Sequence, residues 1–249
     1  MRLHDLVLTS RRVAGTSGRL AKIELLSGLL KRAAPEEIET AIAFLSGSPR
    51  QGRIGVGYAT LQAARPEQAA AAPSLELAEV DAALQRLADT SGAGSAQTRE
   101  RLLRELLARA TSEEQEFLFR LALGELRQGA LEGLVTEAVA RAAELAPDAV
   151  RRATMLAADL GAVARAGLTE GAPGLARFRI QVFHPLQPML AQAADDVTDA
   201  LAQLGEAAFE YKLDGARIQV HKSGDEVRVF SRLLNDVTVA VPEVVEAVR

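Results

Sequence analysis

The residue types best suited to chemistry sit together in FEYKLDGARIQVHK, residues 209–222. If Ala208–Lys212 is a strand, its alternation puts Glu210 and Lys212 on one face, about 6.5 to 7 Å apart. Phe209 and Tyr211 then point the other way, into a core. A carboxylate and an amine share one polar wall. Asp214-Gly215 turns the chain, and Arg217, Gln219 and His221 line one face of the next strand, a surface suited to an anionic ligand such as a nucleotide. Lys212 is the candidate nucleophile. A lysine of ordinary pKa is only about 0.1% free amine near neutral pH, so the role needs burial or neighbouring cations that disfavour its charged form. The bare K-x-D-G pattern decides little, because about one chain of this length in fourteen carries it by chance. On the four letters alone a solvated strand lysine opposite a surface glutamate is the better reading.

Other reaction chemistries find no support. His4, His184 and His221 are scattered, and the chain has no cysteine, which removes thiolate nucleophiles, disulfides and Cys-ligated zinc. No set of metal-ligating residues stands out. Two glycine-containing segments could instead hold phosphates, since backbone amides freed by glycine and backed by arginine bind phosphate without reading sequence. They are Arg53-Ile54-Gly55-Val56-Gly57 and Arg127-Gln128-Gly129. Each glycine also reads as a helix cap, and both readings can hold at once. Arg50, Arg99 and Arg104 are weaker candidates, because a solvated helix face explains them equally well.

The elements that must carry these residues fall into two textures. From Thr16 to about Gly167 apolar residues recur at helical spacing, as in Leu102, Leu103, Leu106 and Leu107. Pro35 before Glu36 and Glu37 reads as a helix start, Thr111 with Glu114 as a capping box, and Pro147 as a first-turn proline. Gly47, Gly92 and Gly94 read as helix ends or loops, and Arg65–Pro73 as a surface loop. TEGAPGL, Thr169–Leu175, reads as a linker. Beyond it come FRIQVF, a helical segment near Val197–Leu204, and the short alternating segments Ala208–Lys212, Arg217–Lys222 and Val227–Arg232, the last two joined by Ser223-Gly224-Asp225 as a hairpin. The expected domains are therefore 1–170, all helical, and 171–249, α+β with antiparallel strands.

Composition bounds the function. The chain has 249 residues, 48% apolar and 4% aromatic, and a net charge of -4, so any nucleic-acid contact must be local rather than spread over the surface. MRLHDLVLTSRR has too short an apolar run, broken by Asp5, for a signal peptide, and no segment approaches 18 uninterrupted apolar residues. A soluble, cytoplasmic protein with no membrane partner is expected.

EYKLDGARIQVHK followed by VRVFSRLLNDVT resembles the nucleotidyltransferase motif of ATP-dependent DNA ligases and the arginine motif after it, and HPLQPMLAQ is similar to the family's lead-in. SGSPRQGRIGVGYATL and RATSEEQEFLFRLALGELRQGALEGLVTEAVARA resemble the helical DNA-binding domain of the same family, with the bacterial and archaeal single-polypeptide enzymes, the actinobacterial type in particular, as the nearest likeness. The resemblance runs from about Leu20 to Arg249. It implies that Lys212 becomes adenylylated by ATP with Mg²⁺, that Glu210 and Arg217 contact the adenosine, and that Arg232 contacts the nucleotide near its ribose or phosphate. Asp214 with Gly215 orients the turn and the lysine, or is a purely structural turn. Arg53, Gly55, Gly57, Arg127 and Gly129 become contacts to nicked duplex DNA. A monomeric, nucleoid-associated enzyme of repair, replication or recombination is the expectation. The stretch from Gly171 to Arg249 is short for a whole adenylation domain and lacks the family's later elements, so the chain is expected to be truncated and inactive alone. A non-catalytic fragment that binds nicked DNA is the alternative. RNA ligases, capping guanylyltransferases and NAD-dependent ligases use a related lysine, but the helical module disfavours them.

Overall fold

The computed structural model describes residues 1–126, 132–188, 193–211 and 213–249. The chain divides into two compact units, Met1–Thr154 with Asp159–Phe178, and Met155–Ala158 with Arg179–Arg249. Among the described residues no helix is long and apolar enough to cross a membrane.

The first unit is helical: α1 Leu3–Ala14, α2 Arg19–Leu30, α3 Ile38–Leu45, α4 Tyr58–Ala64, α5 Leu77–Asp89, α6 Ser95–Ala108, α7 Ser112–Leu123, α8 Glu132–Ala143, α9 Pro147–Ala157 and α10 Leu160–Ala176. Helix α2 packs on α8, α10 on α3 and α8, α4 and α5 on α6, and α1 on α2 and α7. Leu26, Leu29, Leu30, Phe44, Leu45 and Val135 are at most 1% exposed, and the Phe44 and Phe117 rings meet at 6.3 Å. Each such side chain contributes about 1.5 to 3 kcal/mol by leaving water, which outweighs weak local preferences in short helices. Caps fix the boundaries. Thr111 Oγ1 accepts from Glu114 N, while Glu114 Oε2 accepts from Thr111 N at 2.8 Å, the reciprocal box that the sequence predicts, worth about 1 kcal/mol.

Three local features depart from the sequence reading. The helical period begins before Thr16, because α1 buries Leu3, Leu6, Val7 and Val13 at helical spacing. Pro35-Glu36-Glu37 forms a turn, and α3 starts only at Ile38. Thr169–Leu175 is not an extended linker but part of α10, which kinks where Gly171 takes φ 66° and ψ -146°. Pro173 then sits in the first turn of the second segment, where a proline costs no hydrogen bond. Leu175 is buried, and Gly174 approaches the first segment so closely that a Cβ would lie 2.4 Å from Ala166 O.

In the second unit α11 spans Val197–Leu204, as expected, with its start capped by Asp196 on Asp199 N at 2.8 Å. Strands β1 Ile218–Ser223 and β2 Glu226–Ser231 pair antiparallel from Ile218↔Ser231 to Ser223↔Glu226, around a Gly224-Asp225 turn in which Gly224 takes φ 58°. A two-residue turn with a positive-φ glycine matches strand twist. A 3₁₀ turn, Thr238–Ala240, leads to α12, Pro242–Val248, which packs against β2.

Candidate functional site

The hairpin register decides which of the candidate nucleotide residues meet. Ile218 pairs with Ser231, so Arg217 and Arg232 flank the same open end of the ladder, although they are distant in sequence. Both are exposed, and neither is hydrogen-bonded or ion-paired with a described residue. Two uncompensated guanidiniums at one end of a hairpin form a local anion-attracting spot on a chain of net charge -4. Glu210 and Asp214 are likewise exposed and without a partner among the described residues, and the chain bends at Gly215. Lys212 lies outside the described residues, so its spacing from Glu210 is not observed.

Two expectations for this segment are corrected. Ala208–Tyr211 forms no strand, and Phe209 and Tyr211, expected in a core, are 74% and 97% exposed. The reason is the missing neighbour: no described strand offers these residues a ladder, and an alternating pattern alone satisfies no backbone hydrogen bond. The face carrying Gln219 and His221 is not open to an anion either. Gln219 brackets Leu186, accepting from its N–H at 2.9 Å and donating to its carbonyl at 2.5 Å. His221 Nδ1 accepts from the Phe183 N–H at 2.9 Å, and its ring meets Phe230 edge-on at 5.1 Å. Arg228 lies over the Phe183 ring at 4.8 Å. These side chains pin residues 183–186 along the hairpin, and only Arg217 of the three remains free for a ligand.

In the helical unit a second site forms around Ser48–Gly57. Arg50 grips Asp81 with two hydrogen bonds, 2.8 and 3.3 Å, which also raise its pKa, and Gln51 Nε2 reaches the same carboxylate at 2.8 Å. Ile54 is buried. Gly55 has φ 68°, and a Cβ there would meet the Arg99 guanidinium at 2.8 Å; Arg99 in turn donates to Thr90 O at 2.5 Å. Gly55 is therefore no helix cap but a point of close approach that only glycine allows. Gly57 is the residue before α4 and does serve as its cap position. Arg50 and Arg99 are thus spent on structure, as is Arg104, which bonds Glu100 at 2.5 Å and Ala63 O at 3.2 Å.

Arg53 differs from all three. It is exposed and has no partner among the described residues, on a loop anchored by the Arg50–Asp81 pair before it and by buried Ile54 after it. It borders a trough of about 650 Å³ whose walls include Ser48, Gly52, Gly55, Leu121 and Gly124, with no carboxylate. Gly52 and Gly124, with φ 67° and 69°, complete this backbone-rich lining and were not singled out in the sequence, where nothing distinguishes them from ordinary loop and cap glycines. Arg127 and Gly129 lie outside the described residues. Leu126, just before them, passes the end of α3, its carbonyl 3.2 Å from where a Gly47 Cβ would stand.

Residues 58–140 match the family model for the DNA ligase N terminus, and residues 188–249 that for the ATP dependent DNA ligase domain. This chain belongs to the ATP-dependent DNA ligases. The ligase-domain match spans Glu210, Lys212, Arg217 and Arg232, and the N-terminal match spans Arg127 and Gly129 but begins after Arg53. The chain is 60% identical over its whole length to a probable DNA ligase of Anaeromyxobacter sp. (strain Fw109-5), covering 48% of that protein. It is 53% identical over 99% of its length to one of Saccharopolyspora erythraea, again 48% of the protein, and 50% identical over its whole length to one of Sorangium cellulosum, 47% of the protein. The chain therefore spans about half the length of the curated relatives it matches.

Proposed function

We propose that the protein to which this chain belongs seals nicks in duplex DNA through a lysyl-AMP intermediate on Lys212. The observation that carries the reading is the placement of Arg217 and Arg232 at the same end of the hairpin, without a partner among the described residues and inside the span matched by the ATP-dependent ligase domain. Arg217 and Glu210 contact the adenosine, Arg232 holds the ribose or a phosphate, and Asp214-Gly215 sets the bend after the lysine. The Lys212 amine, having lost its proton, attacks the α-phosphorus; a nitrogen–phosphorus bond forms and the bond to pyrophosphate breaks. For that attack, neighbouring positive charge or burial must disfavour the ammonium form of Lys212. Mg²⁺ would accompany the ATP phosphates. Among the described residues no three acidic or histidine side chains converge as a metal site, so none is assigned to it and no step is routed through it.

Residues 1–170 are the DNA-binding part and 171–249 the beginning of the adenylation part. Arg53 with Gly55 and Gly57, and Arg127 with Gly129, hold DNA phosphates without reading sequence. The setting is DNA repair, replication or recombination in the cytoplasm, at the nucleoid, by a monomer. For the 249-residue polypeptide alone a second reading, a fragment that binds nicked DNA without sealing it, is favoured by the exposure of Glu210, Asp214, Arg217 and Arg232, which leaves the nucleotide no enclosed pocket.

Incubation of the full-length ligase with α-labelled ATP and Mg²⁺, followed by denaturation, tests the catalytic half. Label should stay on the protein and be lost in Lys212→Arg, since arginine keeps the charge but offers no neutral amine. A normally labelled Lys212→Arg variant would show that another residue is the nucleophile. For the DNA half, replacing Arg53 and Arg127 together should weaken binding to every duplex alike and flatten its salt dependence by up to about two units of slope.

A further inference from the structure

The edge of α4 beside the Arg53 loop carries an unusual group of side chains. Among the described large apolar and aromatic residues of the helical unit, only Leu20 and Tyr58 are left mostly in water, and Tyr58 is 64% exposed. Its hydroxyl oxygen accepts from Gln62 Nε2, one turn along, at 3.0 Å. A phenol that already accepts has its own O–H free to donate, and Gln62 holds the ring so that this donor stays outside. One further turn on, Arg65 stacks on Phe119, 5.5 Å from the ring centroid, and has no carboxylate partner among the described residues. The stacking fixes the guanidinium plane without using its charge. Most other arginines of this unit are ion-paired, as Arg11 is with Glu113, Arg109 with Glu79 and Arg141 with Glu24.

Resting on the reading of the Arg53 trough as a DNA site, we propose that this α4 edge is a second contact with the DNA backbone. Tyr58 Oη donates to one phosphate oxygen, and Arg65 pairs with another phosphate on the same strand. Tyr58 opens α4 and Arg65 directly follows its last residue, seven steps along the chain and about 10 Å along the axis, the rise of about three phosphates on one strand. Tyr58 directly follows Gly57, so this row continues the line of Arg53 and the glycine loop. Two acidic residues, Glu116 and Glu125, line the same side. Glu116 is neutralised by Arg120 at 2.7 Å, and Glu125 is the opposing charge that keeps the contact weak.

Binding of the 249-residue chain to a fluorescein-labelled nicked duplex, followed by anisotropy across a salt series, tests this. Tyr58→Phe deletes one charge-assisted hydrogen bond and no charge, so affinity should fall on the order of ten-fold at every salt concentration with the slope unchanged. Arg65→Gln should weaken binding and lower the slope by about 0.9. The chain has no tryptophan, so Tyr58→Trp introduces a sole indole whose emission should change on adding unlabelled duplex. Both sites are exposed, and helical circular dichroism should be unaltered. If Tyr58→Phe and Arg65→Gln both behave as the parent while Arg53→Gln flattens the slope, the α4 edge is not on the DNA and the trough reading stands. If the parent itself shows no salt-sensitive DNA binding, the trough reading falls with it.

Discussion

Helices α7 and α11 begin from the same instructions. Each has an oxygen-bearing cap residue, Thr111 or Asp196, and each carries apolar residues at helical spacing. In α7 these are Phe117, Leu118 and Leu121, all at most 5% exposed; in α11 they are Val197, Leu201 and Leu204, 64%, 38% and 70% exposed. The cap and the period make a helix in both cases, but among the described residues only α7 buries its apolar face. The contrast extends to the two units. Among described residues the helical unit leaves two large apolar side chains mostly in water, whereas the second unit leaves Ile180, Val182, Phe209, Tyr211, Leu213 and others there. Local pattern and burial are thus separate facts, and chemistry that needs a desolvated lysine depends on the second.

The comparison breaks most visibly in catalysis. With Glu210, Asp214, Arg217 and Arg232 all exposed, the 249-residue polypeptide should form lysyl-AMP about 10⁴-fold more slowly than a full-length relative, the equivalent of two lost charge contacts at roughly 3 kcal/mol each. Single-turnover labelling of both proteins measures this. Equal rates would mean that the open segment is already an organised pocket.

Stability should divide the same way. Phe44→Ala removes a fully buried ring that touches Phe117 and should lower the unfolding free energy of the helical unit by about 3 to 5 kcal/mol in urea titration. Phe209→Ala, at a ring 74% exposed, should change the midpoint by less than about 0.5 kcal/mol. A large loss in the second variant would place Phe209 in a core after all. Gly55→Ala tests the trough loop at intermediate scale. Its positive φ and the Arg99 guanidinium at 2.8 Å predict a cost of about 1 to 3 kcal/mol and weaker DNA binding. An alanine variant as stable as the parent would show that Arg99 yields freely.

The smallest effect concerns the start of the helical unit. The Met1 α-ammonium is paired with Glu37 Oε1 at 2.5 Å and Glu76 Oε2 at 3.3 Å, and the Glu37 hydrogen bond raises its pKa above the ordinary 8.0. A raised folded pKa gives stability that is fully present below the unfolded value and is lost as pH rises through the folded one. In a polypeptide with a free Met1 amine, the urea midpoint should therefore decline above about pH 8. Glu37→Gln, which can still accept from Ala34 N, should remove most of that decline. An unchanged pH profile in the variant would assign the effect to other groups.

Much was legible in the residues themselves. Period and punctuation identified α7, α9 and α11 and the hairpin, because a cap, a first-turn proline or a glycine turn acts over a few residues and needs no partner. The motif letters around Lys212 and Arg232 carried the family. What the sequence could not supply was long-range. The Thr169–Leu175 run reads as a linker from its Gly and Pro, yet becomes helix once Leu175 finds a core. Ala208–Tyr211 alternates like a strand and stays unpaired, since a ladder requires another chain segment at its edge. Arg50, Arg53 and Arg99 look alike as letters. Tertiary structure alone gave Arg50 to Asp81 and Arg99 to Gly55 and left Arg53 without a partner among the described residues, and it alone set Arg217 and Arg232 at the same end of the hairpin through a register fixed by its turn. Local steric and capping preferences are properties of a short stretch of chain, whereas burial, ion pairing and strand register are properties of whichever distant residues arrive beside it.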